Sequence, residues 1–248
     1  LNLMPIYRMR DGVKQLGNNK EVFEKCFTLL DNQNALMIFP EGSHDKRRTI
    51  RTLSKGFSRI IFGALEQNPA LQIHIIPVGL TYQNPSVYPS NVCLHYGTPI
   101  LVNDFYKPLI INSEIKRLKD VITSQLKTLS VHIPLDENYE KTLAKLTAAN
   151  VDFTKVERVN LMITSTIISG REKKVNLVSF IKPFILLNSI VPWFIWKHTE
   201  SKINEFEFID TFRYGINTIT VSVNFMIQTY LVSYFYSWLS GIIYLASS

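Results

Sequence analysis

From Tyr214 to Ser248 the chain carries no Asp, Glu, Lys, Arg or His. A run of that length without charge makes a poor water-facing surface, so it is expected to be buried in protein or in lipid. Within it, Phe225 to Tyr244 (FMIQTYLVSYFYSWLSGIIY) is largely apolar over about the 20 residues that a membrane-spanning helix needs. It reads as a transmembrane helix in a hydrophobic segment 216–245. Its tyrosines, serines, Trp238 and Gln228 make it less apolar than an ideal span and leave open a buried hairpin in a soluble protein.

A second apolar segment, 177–196 (LVSFIKPFILLNSIVPWFIW), contains Lys182, Pro183 and Pro192. Each proline removes a helix hydrogen bond and the lysine must snorkel or pair, so this segment reads as membrane-associated, either spanning or re-entrant. Arg171, Lys173 and Lys174 before it favour a cytoplasmic flank, a bias diluted by Lys197, Lys202 and Arg213.

Before Val175 the pattern is that of an α/β domain. Ala35–Phe39, Ile73–Leu80 and Val92–Tyr96 are short apolar runs bounded by turn residues, as buried strands of a mixed, mostly parallel sheet tend to be. Phe57, Ile60, Ile61, Ala64 and Leu65 mark one apolar helix face, stopped by Asn68-Pro69. Ile115, Leu118, Ile122, Leu126 and Leu129 mark a second helix with a basic opposite face, and one or two more helices are expected over 135–162. The expected layout is an α/β domain over 1–134 with helices flanking its sheet, a helical connector over 135–176, and a helical membrane-associated region over 177–248.

The formal charge of +7 favours anionic partners such as phosphorylated substrates or lipid headgroups. Nucleic acid is not expected, because no aromatic residues interleave with the basic run Asp45-Lys46-Arg47-Arg48 and the C-terminal region is uncharged. Cys26 and Cys93 lie far apart with no paired spacing, so neither a disulfide framework nor a metal site is expected. No signal-peptide pattern opens the chain, and with Leu1 as its first residue it reads as lacking its true N-terminus.

The chemistry concentrates in Leu36–Arg48, LMIFPEGSHDKRR. An apolar run ends at Pro40, and Glu41, Gly42, Ser43, His44 and a basic cluster follow. Gly42 lets the backbone approach a ligand, and Glu41 can accept a hydrogen bond from a hydroxyl. The alternative is a structural ion pair of Glu41 with Arg47 or Arg48. Ser43-His44-Asp45 contains the residue types of a hydrolase triad, but neighbours in sequence point apart and no G-x-S-x-G elbow is present. A second basic point is Arg8 in LNLMPIYRMRDG, where an arginine delivered by a short strand can grip a phosphate bidentately.

MPIYRMRDG, FPEGSHDKRR, LSKGF and IIPVGL, in that order between Leu1 and Gly97, resemble the ordered motifs of the glycerophospholipid acyltransferases, the family of lysophosphatidic acid and glycerol-3-phosphate acyltransferases. The resemblance implies transfer of a fatty acyl group from acyl-CoA or acyl carrier protein to a hydroxyl of a phosphorylated glycerol, with no cofactor or metal beyond the co-substrate. By matching positions, Arg8 would hold the acceptor phosphate, and Glu41 with Gly42, followed by Ser43, would orient the glycerol. Lys55 would be a second phosphate contact and Pro77 would shape the acyl-donor side. Arg47, with Arg48 and Arg51, would contact substrate or face anionic headgroups. The enzyme would work at a membrane with its catalytic domain facing the cytoplasm.

One departure stands out. The family carries an H-x4-D motif upstream whose histidine deprotonates the acceptor hydroxyl, and none of the five histidines here has that spacing. His132 with Glu137 comes nearest, in the wrong order and context. A positioned general base is worth about 10²–10⁴ in rate. The expectation is an active enzyme whose base lies upstream of Leu1. Its rival is a non-catalytic phosphate- or lipid-binding membrane protein that keeps the scaffold.

Overall fold

A computed structural model describes residues 3–5, 19–42, 45–85, 90–165, 167, 183, 185–203 and 208–247. It divides into two compact units, Leu1–Pro85 with Ser90–Arg171 and Ser86–Pro89 with Glu172–Ser248.

The first unit opens with helix α1 (Asn19–Asp31), whose Cys26 is buried and whose Phe27 and Leu30 pack on the core. The sequence reading overlooked this helix, although Phe23, Cys26, Phe27 and Leu30 follow helical spacing. Helix α2 (Gly56–Gln67) lies where expected. Its Phe57, Ile60, Ile61, Ala64 and Leu65 are buried, and Asn68 caps it by donating its N–H to the Ala64 carbonyl. Helix α3 (Ile111–Leu129) buries Leu118 and Ile122 against α2 and the strands.

The sheet differs from the mostly parallel one expected. β1 (His74–Ile75) pairs antiparallel with β4 (Ile100–Leu101), and β2 (Val78–Tyr82) pairs antiparallel with β3 (Val92–Tyr96). No parallel pair occurs among the described residues. The reason lies in the connections. Parallel neighbours need a crossover of about a dozen or more residues, usually a helix, and no helix separates β1, β2, β3 and β4. Pro77, which has no N–H to give a ladder, divides the expected run Ile73–Leu80 into β1 and β2. Ala35–Phe39 alternates in exposure, with Leu36 and Ile38 half-buried and Met37 and Phe39 exposed, but it joins no ladder among the described residues.

Gly79, Thr81, Cys93 and His95 face the end of α3. A side chain at Gly79 would run into the Leu129 backbone, His95 Nδ1 lies 3.3 Å from the Leu129 carbonyl, and Val131 donates its N–H to Thr81 Oγ1 at 3.4 Å. The other face of the hairpin, Val78, Leu80, Tyr82, Val92, Leu94 and Tyr96, is exposed. Helices α4 (Tyr139–Ala148) and α5 (Val156–Ser165) build a separate core around Leu146, Phe153 and Val159.

The second unit contains α6 (Ile190–Glu200), α7 (Ile209–Phe235) and α8 (Trp238–Ser247). The continuous helix expected over Phe225–Tyr244 is broken: α7 stops at Phe235 and α8 folds back, bringing Gly241 so close to Ser233 that a side chain there would collide with it. No helix among the described residues is long and apolar enough to cross a membrane, which corrects the transmembrane expectation. α7 has the length, 27 residues or about 40 Å, but Asn217, Thr218, Thr220, Ser222, Asn224 and Gln228 lower its hydropathy. Most of segment 177–196 before Ile185 lies outside the described residues; Pro192 sits in the first turn of α6, where no N–H is needed.

Candidate active site

Glu41 is presented by a tight turn. The Gly42 N–H donates to the Phe39 carbonyl at 3.3 Å, Pro40 supplies the fixed φ that favours the second turn position, and Gly42 adopts φ 72°, a region in which a Cβ is disfavoured. Gly42 thus holds a backbone conformation that any side chain would strain.

The carboxylate does not float. Glu41 Oε1 accepts the Arg51 backbone N–H at 3.1 Å, and Oε2 accepts from Arg51 Nε at 3.3 Å and from a terminal guanidinium nitrogen at 3.2 Å. Both side chains are shielded, 29% and 22% exposed, so the pair is less screened than an ordinary surface pair. The ion-pair alternative named Arg47 or Arg48; the partner is Arg51. Nothing local announced it, because the two residues meet only through the folding-back of the intervening loop.

That loop brings two motifs together. The Ser54 N–H donates to the Pro40 carbonyl at 2.8 Å, and buried Leu53 anchors the segment in the core. Lys55 is therefore held near the Glu41 turn, exposed, at the head of α2. The first N–H groups of a helix have no intrahelical acceptor, so this corner offers a cation and helix donors beside a carboxylate.

The basic run separates into different roles. Arg47 pairs with Asp45, whose carboxyl is held down to about 2 chiefly by that hydrogen-bonded guanidinium. Arg48 turns inward: its guanidinium donates to the carbonyls of Tyr82 and Gln83 at 2.8 and 2.9 Å and lies 3.7 Å over the Phe153 ring, and its backbone N–H donates to the Tyr139 hydroxyl oxygen at 2.8 Å. It ties the loop to the α4–α5 core, which removes it from the expected headgroup-facing patch. His132 also has a structural partner, its Nδ1 accepting the Ile50 N–H at 3.1 Å, and burial with the Lys127 cation pushes its pKa down.

Pro77 is buried at the start of β2, its carbonyl accepting the Gly97 N–H at 2.8 Å. No hydrogen bond or ion pair among the described residues links it to Glu41. Arg8, Ser43 and His44 lie outside the described residues. Among the described residues no group of three or more His, Cys, Asp or Glu could hold a metal.

Known proteins resemble part of the chain. Residues 1–81 match the family model described as Acyltransferase. Glycerol-3-phosphate O-acyltransferase 1 of Saccharomyces cerevisiae is 28% identical over 115 residues, covering 44% of this chain and 15% of the yeast protein. Glycerol-3-phosphate O-acyltransferase 2 of the same yeast is 28% identical over 120 residues, covering 47% of the chain and 16% of the relative. An uncharacterized acyltransferase of Schizosaccharomyces pombe is 25% identical over 103 residues, 40% of the chain and 15% of that protein. The matched region thus spans only about a sixth of each relative's length. No solved structure matches the chain significantly. The match to the acyltransferase family model, residues 1–81, takes in the Glu41 turn, Arg51 and Lys55.

Proposed function

We propose that the protein transfers a fatty acyl group from a thioester, acyl-CoA or acyl carrier protein, to a hydroxyl of glycerol-3-phosphate or lysophosphatidic acid in phospholipid synthesis. The observation that carries this reading is the fixed Glu41 carboxylate, oriented by Arg51 and backed by Lys55 where two family motifs are hydrogen-bonded together. In the reaction the acceptor oxygen attacks the thioester carbonyl carbon, the C–O bond forms, the C–S bond breaks, and the hydroxyl proton leaves through a base to the departing thiol. Glu41 and Gly42 would orient the glycerol, with Ser43 beside them. Arg8 and Lys55 would hold phosphate, and Pro77 would shape the donor side. Such a transfer calls for no metal or cofactor of its own.

The reaction would take place at a membrane, with the domain on the cytoplasmic side where water-soluble thioesters and lipid acceptors meet. The experiment is Glu41→Ala in the natively expressed protein: acyl transfer should vanish while membrane association persists. Undiminished turnover would remove Glu41 from the mechanism.

A second reading is a phosphate- or lipid-binding membrane protein without turnover. It is favoured by one observation, that none of the five histidines has the H-x4-D spacing. Saturable binding of glycerol-3-phosphate with no thiol released from acyl-CoA would select it.

A further inference from the structure

The Glu41 carboxylate is held by Arg51, yet residues 45–51 form neither helix nor strand that could fix Arg51 by itself. Their geometry is imposed from segment 131–160, which lies beyond the family-matched residues 1–81.

Arg48 is gripped through backbone and side chain alike. Its N–H donates to the Tyr139 hydroxyl at 2.8 Å and its carbonyl accepts the Ile133 N–H at 2.7 Å. Its two terminal nitrogens reach the adjacent carbonyls of Tyr82 and Gln83, and its plane lies on the Phe153 ring. Two residues on, the Ile50 N–H donates to His132 Nδ1 at 3.1 Å. The next N–H along, that of Arg51, donates to Glu41 Oε1, also at 3.1 Å. Successive amides of one short strap therefore join the α4–α5 region to the carboxylate.

The seat for this strap is built without Arg48. Gln83 donates its side-chain amide to the Val151 carbonyl at 3.0 Å and accepts the Phe153 N–H on Oε1 at 2.7 Å. Asn160 Oδ1 accepts the His132 N–H at 3.1 Å, while its Nδ2 donates to the carbonyls of Lys127 and Ser130 at 3.1 and 3.0 Å. Val151 and Phe153 are also buried in one core with Leu146 and Val159. Loss of the Arg48 contacts would release the strap and leave the seat standing.

We propose that Arg48 is a positioning residue for acyl transfer: by seating residues 48–51 on the α4–α5 core it sets Arg51, and through Arg51 the Glu41 carboxylate. The α4–α5 core then serves catalysis by holding a loop. The role needs a planar fork with one face on an aromatic ring, which a lysine ammonium, a compact point charge, cannot reproduce. The inference rests on the part proposed above for Glu41.

The test compares Arg48→Lys with the parent in the natively expressed protein. Amide hydrogen exchange is measured, together with steady-state transfer from acyl-CoA to glycerol-3-phosphate, and the kinetics are repeated on a Glu41→Gln background. Exchange at the Ile50 and Arg51 amides should rise about tenfold or more while the amides of α4 and α5 keep their protection. The kcat should fall about tenfold with KM for acyl-CoA unchanged, and the same substitution should cost little further turnover once residue 41 is Gln. Tyr139→Phe, which removes only the acceptor of the Arg48 N–H, should move both readouts the same way by a smaller factor, and it carries the test if Arg48→Lys does not fold. Parental exchange at Arg51, equal loss of protection throughout α4 and α5, or a kcat loss of the same factor on both backgrounds would overturn the inference. A parent that transfers no acyl group would sink the enzyme reading alone, and exchange at Arg51 would then decide whether Arg48 sets the Glu41 contact.

Discussion

Among single residues, Glu41 owes its position to Arg51. Three contacts from Arg51 fix the carboxylate, one from the backbone and two from the guanidinium. Arg51→Lys keeps the backbone donor but loses the planar fork, so turnover should fall about tenfold or more through misplacement of Glu41. Steady-state kinetics would read this as a loss in kcat with little change in KM for acyl-CoA; an unchanged kcat would make Arg51 a bystander. His132 gives a pH prediction. Its Nδ1 accepts the Ile50 N–H and its folded pKa lies below the ordinary 6.5. The unfolded chain therefore binds the proton more readily, so the stability this group contributes is present above the ordinary 6.5 and is lost as pH falls below it. His132→Asn, which can still accept that N–H, should flatten the fall in the thermal midpoint. The Glu41–Gly42 turn was legible in the sequence because proline and glycine act locally. Arg51 was legible only as one more cation, since its pairing depends on Leu53 and Ser54 docking the loop.

At the scale of elements, the helices followed their periodicity and the sheet did not follow its composition. α2 and α3 were readable because their apolar residues recur at helical spacing over several turns. The runs Ile73–Leu80 and Val92–Tyr96 were readable as strands, but strand direction is set by connections, and no helix lies between β1 and β4 to make a parallel crossover. The turn and the hairpin supply two mutational tests. Gly42→Ala forces a Cβ into φ 72° and should cost about 1–2 kcal/mol locally, lowering acyl transfer more than the melting temperature. Gly79→Ala drives a methyl against the Leu129 backbone and should destabilise the first unit by about 1–3 kcal/mol, seen in chemical denaturation. Equal melting of the Gly79 variant and the parent would mean that the end of α3 can move away freely.

At the scale of the whole molecule, apolar composition in the C-terminal region was legible and its arrangement was not. The uncharged run from Tyr214 suggested one span, but the break after Phe235 makes it a folded-back pair of helices with an apolar exterior. Attachment through that apolar exterior should survive salt. In about 1 M salt, where the Debye length is about 3 Å, the protein should remain with sedimented membranes, and release would assign its attachment to charge. The proposed chemistry is read out by acceptor-dependent thiol release. The natively expressed protein is incubated with acyl-CoA and glycerol-3-phosphate, or with lysophosphatidic acid, while free thiol and acylated product are followed together. Thiol and ester should appear in equal amounts only when an acceptor is present, and Glu41→Gln should slow both by about 100-fold or more. Thiol release that ignores the acceptor, or a Glu41→Gln rate equal to the parent's, would contradict the account.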